Sequence, residues 1–414
     1  MVIKPMIRSN ICINAHPIGC AKETENQINY VKSQKNKRGS KTSAEGGKGP
    51  KIVLVLGCST GYGLASRISA AFEYGADTIG VSFEKVPTQV KGGTPGWYNN
   101  AKFDEEAAKA GVKSVTFNTD AFSNECRQMV IDQLKAWGKK ADLVIYSLAS
   151  PVRNDPVLKD AEGKPVLYKS VIKPIGQIYA GASLDMMSGA ITQAQTNPAE
   201  GDEVKNTVKV MGGEDWALWI DQLMEAGVLA EGCRSVAYSY IGPKLSHPIY
   251  RDGTIGEAKK DLEKTALALD QKLKLIGGNA FVSVNKGLIT RSSSVIPIIA
   301  EYLGALYKVM KEKGTHEGCI EQMERLFAER LYTGADNGPG QVPVDKDGRI
   351  RMDDYELDED TQAAVEKIMA EVTEENVSEK VDLAGIRHDF LIINGFDVDG
   401  VDYTKDLTDM TLIN

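Results

Sequence analysis

Tyr240, Tyr250 and Lys259 stand close together in AYSYIGPKLSHPIYRDGTIGEAKK, residues 237–260. A phenol beside an ammonium makes a proton-donating pair, because the positive charge favours phenolate and lowers a pKa whose reference value is about 10. Nine residues along an unbroken helix would hold Tyr250 and Lys259 about 13.5 Å apart on opposite faces. The break Asp252-Gly253-Thr254-Ile255-Gly256 removes that difficulty, since it lets the tyrosine fold back over the start of the helix carrying the lysine. On their own these residues are also common surface types.

A second cluster gives them something to act with. In KIVLVLGCSTGYGLASR, residues 51–67, an apolar run ends at Gly57, and Gly61 and Gly63 follow before a helical pattern begins. Strand, glycine turn and helix N-terminus together make a phosphate site: no Cβ blocks the backbone, and the first-turn N–H groups are free. The G-x3-G-x-G spacing is that of short-chain dehydrogenases. Glu84, 21 residues beyond Gly63, ends the second expected strand, where a carboxylate accepts from an adenosine ribose and repels a 2′-phosphate. NADH is therefore favoured over NADPH, although Lys85 softens the preference. Asp120 either meets the adenine end or caps the helix that follows Ala121. Tyr62, inside the glycine turn, either lines the cavity or only caps the turn.

The elements that must position these groups alternate regularly. Strands are expected at 51–56, 78–83, 114–118, 142–147, 235–240 and 280–285, with helices at 64–75, 103–110, 124–137, 215–226, 256–273 and 294–311. Alternating buried strands and helices specify an α/β fold, a doubly wound (Rossmann-type) parallel sheet with ligands at the strand C-terminal ends. One large domain is expected over 1–414. Its additions are a mobile basic segment at 32–50, a substrate-side insertion over 151–230 that is irregular to 215, and a mainly helical extension over 314–414 with a short hairpin at 344–352. Helical and irregular additions would form a substrate lid.

Composition narrows the partners. A net charge of −8 argues against nucleic acid or an anionic membrane surface, and no apolar run approaches a bilayer span. Six cysteines without a disulfide framework point to a reducing, cytoplasmic compartment. His16 with Cys20 and His316 with Cys319 would close a zinc site only if the fold joined the two pairs, and no metal is expected. Asp345-Lys-Asp347-Gly348 lacks the spacing of a calcium loop.

Over nearly its whole length the chain resembles the trans-2-enoyl thioester reductases: the bacterial trans-2-enoyl-CoA reductases and the related enoyl-acyl-carrier-protein reductases. The resemblance rests on NICINAHPIGC, GCSTGYGLASR, TPGWYNN, YSLASPVR, KVMGGEDW, YSYIGP and GLITRSSSVIP. Tyr250-RDGTIGEA-Lys259 meets the family's Tyr-x8-Lys signature. Tyr240 and Lys244 also match the Tyr-x3-Lys spacing of a carbonyl reductase.

The resemblance implies NADH contacts at Gly57, Cys58, Ser59, Thr60, Gly61, Tyr62, Phe83, Glu84, Asp120, Ala121, Leu148, Ala149, Lys259, Leu288, Ile289 and Thr290. It implies a substrate contact at Tyr240, a proton donor at Tyr250, and Lys259 on the nicotinamide ribose. The implied reaction is reduction of an enoyl-CoA, with an enoyl-acyl-carrier-protein as the alternative substrate, by a monomer. A non-catalytic dinucleotide-binding protein is the reading from another class.

Overall fold

Strand β1 (Ile52–Leu56) buries all five of its side chains, and the sheet is built outward from it. The computed structural model describes residues 2–8, 10–38, 49–294, 296, 299–333 and 340–413. To one side of β1 lie β2 (Asp77–Ser82) and β3 (Ser114–Asn118). To the other lie β4 (Ala141–Tyr146), β5 (Leu229–Ser239), β6 (Asn279–Val284) and the two-residue β7 (Ile350–Arg351). The spatial order is β7-β6-β5-β4-β1-β2-β3, and every pairing is parallel. Rossmann-type order is thus observed, with its switch point between β1 and β4. There the connections diverge to opposite sides and leave a crevice at the strand C-terminal ends.

Helices cover both faces. Helix α1 (Pro17–Arg38) packs beside α3 (Pro95–Lys109), and α2 (Gly61–Ile68) follows the glycine turn. Ile28 and Val31 of α1 join the core beneath α2, while Lys32 lies 5.1 Å over the Phe72 ring. Residues 32–38 of the expected mobile segment are therefore helical, since long lysine stems cover apolar surface while the charge stays in water. The rest of that segment, 39–48, lies outside the described residues. Helix α4 (Asn124–Trp137) matches its expected bounds.

The 151–230 region is more ordered than its composition suggests. It forms two antiparallel hairpins, Val152–Lys159 with Pro165–Lys169 and Tyr179–Leu184 with Ile191–Thr196. Helices α5 (Glu203–Met211) and α6 (Glu214–Glu225) follow. Helix α7 (Thr254–Leu273) is tied to this insertion: Thr254 donates to the Val171 carbonyl at 2.5 Å and its amide to the Lys173 carbonyl at 3.0 Å.

Helix α8 (Ile299–Lys313) starts later than expected, because Thr290–Ser294 is a turn in which the Ser294 amide donates to the Thr290 carbonyl. Helices α9 (Cys319–Leu326), α10 (Glu359–Glu371), α11 (Val377–Lys380) and α12 (Leu383–Ile392) form the C-terminal part. Buried Val365, Val377, Val381, Ile386 and Phe390 pack it onto α8. The expected 344–352 hairpin is absent among the described residues. Instead, Ile350 and Arg351 extend the main sheet, and the Asp345 carboxylate accepts from Arg349 and Arg351 rather than serving calcium. The chain end returns to the first half: the Met410 amide donates to the Gln89 carbonyl, and the Tyr98 hydroxyl to the Met410 carbonyl, both at 3.0 Å.

The glycine turn is sterically obligatory. Gly57 has φ +86°, where an added Cβ would lie 2.2 Å from the Ser147 carbonyl oxygen. At Gly63 a Cβ would lie 1.8 Å from the Gly57 oxygen. Arg67, at the end of the motif, is fully buried and bonds Thr78, Thr116, Ser114 and Asp104, its guanidinium filling the space over Gly80 of β2. Gly63→Ala is expected to cost about 1–3 kcal/mol by overpacking, read as a lower urea midpoint at unchanged slope in equilibrium unfolding.

Candidate active site

Parallel strands bring the candidate residues to one edge of the sheet. The turn after β1 faces the segment after β6: a Cβ on Gly61 would meet only Thr290 Cγ2, at 4.0 Å. The same turn lies against the segment after β4, since the clash at Gly57 is with Ser147 and Leu148. Gly57–Tyr62, Leu148 and Thr290 thus line one crevice. Thr60, the residue before α2, makes no side-chain cap, so the first-turn N–H groups of that helix remain available to an anion. Open space at Gly61, between two positions where a Cβ cannot fit, is what a dinucleotide diphosphate requires.

Not every predicted contact offers its side chain. The Cys58 thiol is buried in the core and pushed up to about 11 by burial, and its amide donates to the Val81 carbonyl, so only its own carbonyl is left for a ligand. Tyr62 donates to the Lys286 carbonyl at 2.6 Å and packs edge-on to Tyr238, which fixes it as a brace between the two loops. Glu84 accepts from Ser59 at 2.6 Å and from Thr94, and its backbone pairs with the Asn118 amide. Its carboxylate is therefore pre-oriented, with lone pairs remaining for a ribose.

Phe83 is 80% exposed beside it, an apolar face for an adenine ring. Asp120 accepts from the Phe122 amide, while Ser123, not Asp120, caps α4. The buried Ala121 receives the Trp219 indole N–H on its carbonyl, and Ala149 is exposed. Leu288 and Ile289 are buried, and the Ile289 amide donates to the Tyr307 hydroxyl.

The tyrosine pair lies past the C-terminal end of β5. Gly256 allows it: a Cβ there would sit 1.8 Å from the Arg251 carbonyl, so the 250–253 turn folds directly onto the start of α7. The Tyr240 and Tyr250 rings meet edge to face, with centroids 5.2 Å apart. Lys259 donates to the Tyr238 carbonyl at 3.1 Å, which holds it beside the same strand end.

Lys259 does not depress the Tyr250 phenol as expected; burial pushes that phenol up, so it stays protonated. Burial instead brings the Lys259 ammonium down to about 8. The Tyr250 hydroxyl makes no hydrogen bond among the described residues, whereas the Tyr240 hydroxyl donates to Glu356 at 2.9 Å. Lys244 is exposed in a short 3-10 turn and makes no bond to Tyr240 among the described residues. Glu356 was not visible in the sequence: it stands in the acidic run DDYELDED, where nothing marks one carboxylate as buried.

The His/Cys pairs serve packing. His16 accepts from the Gly19 amide and its ring lies 4.9 Å from Tyr403, while His316 packs 4.3 Å from Tyr307. No group of metal-ligating side chains occurs among the described residues.

Three family models match the chain: the NAD(P)H binding domain of trans-2-enoyl-CoA reductase over residues 2–89, the trans-2-enoyl-CoA reductase catalytic region over 91–332, and an enoyl reductase FAD binding domain over 344–407. The trans-2-enoyl-CoA reductase [NADH] of Treponema denticola is 55% identical over 98% of both chains. An enoyl-[acyl-carrier-protein] reductase [NADH] of Cytophaga hutchinsonii is 50% identical over 100% of this chain and 99% of its own. The crystal structure of the Treponema denticola enzyme in complex with NAD superposes with a TM-score of 0.93 at 53% identity, covering 100% of both chains.

The crevice described above fits a nicotinamide dinucleotide. Residues 344–407 do not fit a flavin. Among those described there is no glycine-rich strand-turn-helix, and the first turn of α10 carries Glu359 and Asp360, which would repel a diphosphate.

Because the Lys259 ammonium sits near 8, its charge disappears as pH rises from 7 to 9. Dinucleotide affinity is expected to fall through that range by calorimetric titration, and Lys259→Met to flatten the pH dependence.

Proposed function

The chain belongs to the trans-2-enoyl-CoA reductase family, and on that premise we propose that it reduces trans-2-enoyl-CoA, crotonyl-CoA among them, to the saturated acyl-CoA with NADH, with Tyr250 as the proton donor. It is an NADH-dependent oxidoreductase. One observation carries the residue assignment: Tyr250 is a protonated, half-buried phenol with no hydrogen-bond partner among the described residues, at the strand edge where the dinucleotide crevice opens.

When bound, NADH supplies the hydride, which goes to C3 of the enoyl thioester. Negative charge then develops on the thioester oxygen as an enolate. A preorganised hydroxyl aimed at that oxygen stabilises the charge where it appears, and Tyr250 fills the role. Lys259, anchored by the Tyr238 carbonyl, holds the nicotinamide ribose and keeps the local potential positive. Tyr240 forms the neighbouring wall of the substrate pocket. Glu84, oriented by Ser59 and Thr94, receives the adenosine ribose, and Gly57–Gly61 with the α2 N-terminus receive the diphosphate. Protonation at C2 completes the product.

The acyl-carrier-protein names among the relatives keep the carrier as a second substrate, since both carriers present the same phosphopantetheine thioester. The residue set comes from one chain and needs no second copy, which supports a monomer of 45.0 kDa, testable by sedimentation. Six free cysteines support a cytoplasmic site of action, and no described helix is long and apolar enough to cross a membrane.

NADH oxidation on adding crotonyl-CoA is the direct assay, run beside the crotonyl-carrier-protein substrate. Tyr250→Phe is expected to lose about 10²–10³-fold in kcat with NADH binding retained. Near-normal turnover in that variant would remove Tyr250 from the mechanism.

A further inference from the structure

Glu356 is the point where the C-terminal segment reaches the candidate site. It is fully buried just after β7. Its Oε1 accepts from the Tyr240 hydroxyl at 2.9 Å and the Tyr302 hydroxyl at 2.7 Å, and its Oε2 from the Gly287 amide at 2.6 Å. Gln362 closes the cluster, donating to the Glu356 carbonyl and the Tyr302 hydroxyl. One carboxylate therefore ties together the residues past the ends of β5, β6 and β7. Three donors converge on two oxygens, an arrangement that an ionised carboxylate satisfies and an amide cannot.

Tyr240 carries a single hydroxyl proton, and that proton is committed to Glu356. Toward the substrate pocket its oxygen can only accept. With the hydroxyl pinned at one end, the ring is held edge to face on Tyr250.

We propose that Glu356 is a positioning residue: by accepting the Tyr240 hydroxyl's hydrogen bond it fixes the Tyr240 ring against Tyr250, sets where the Tyr250 hydroxyl lies, and leaves Tyr250 as the hydroxyl of the pair that donates to substrate. The proposal rests on the enoyl reductase reading given above. It assigns Tyr240 a role through Tyr250 and predicts a loss in kcat, whereas a simple substrate contact would appear in KM.

The test uses the full chain with NADH and crotonyl-CoA, comparing wild type, Glu356→Gln, Tyr240→Phe and the double variant. Glutamine keeps the shape but offers one acceptor and one donor group in place of two acceptors. A misplacement of about 1 Å costs on the order of 100-fold, so kcat is expected to fall roughly 10- to 100-fold in each single variant. KM and NADH affinity should stay within about threefold, and the double variant should be no slower than the slower single.

Losses that multiply in the double variant, a KM increase at unchanged kcat, or wild-type kcat in Glu356→Gln would each overturn the proposal. Should Glu356→Gln fail to fold, as circular dichroism would show, Tyr240→Phe alone decides: a fall in kcat at constant KM supports the proposal, and kcat within twofold of wild type defeats it. A wild-type chain inert toward crotonyl-CoA would overturn the functional reading itself, and this proposal with it. The other outcomes bear on Glu356 alone.

Discussion

Everything at the site depends on how closely two backbones approach at the switch point of the sheet. The turn after β1 lies against the Ser147 carbonyl with no room for a Cβ at Gly57, and α2 begins against the Gly57 carbonyl with no room at Gly63. That contact sends α2 away from the sheet with its N-terminus at the crevice, and the Tyr62 hydroxyl then spans to the Lys286 carbonyl. One rigid turn thus ties together the segments that follow β1, β4 and β6. Buried Arg67 anchors the far end of α2 to β2 and β3, so the helix cannot pivot about its glycines.

The second half of the site is organised by polar contacts in a dry interior. Burial raises the Glu356 carboxyl, while the Gly287 amide, Lys286 and Tyr302 pull it back toward the ionised form. A buried carboxylate with three donors is costly to leave half-satisfied, and such networks specify geometry more than they add stability. The helical segment over 359–392 packs onto α8 and keeps water from this cluster. It meets the tyrosine cluster through the Gln362 amide, which donates to the Glu356 carbonyl and the Tyr302 hydroxyl.

The α/β rhythm was legible because β1 (IVLVL) and β4 (ADLVIY) are nearly unbroken apolar runs, and turn residues separate the other strands from the helices. Strand β3 and helix α4 have the bounds expected of them. The glycine turn, Glu84 and the Tyr250–Lys259 spacing were legible because each depends on local geometry or on a resemblance covering the whole chain. The hairpins of the 151–230 region were not: their pairings are fixed by cross-strand contacts between residues with little apolar alternation. Nor was the fate of Tyr240, whose partner lies more than a hundred residues away. The expected lowering of the Tyr250 phenol by Lys259 failed for a related reason. Spacing places charges near each other, but burial decides which protonation state survives.

The tail that closes on the first half of the chain has a bearing on how the protein is made. Met410 bonds to Gln89 and receives the Tyr98 hydroxyl, beside the loop whose Thr94 holds Glu84. During translation the first strands and helices leave the ribosome early and can begin to pack. The loop that carries Thr94, however, is anchored through Tyr98 by a residue 312 positions further along, so it gains that contact only after the main sheet has been made. A chain that has not yet reached Met410 therefore carries the glycine turn without this support for the loop that bears Thr94.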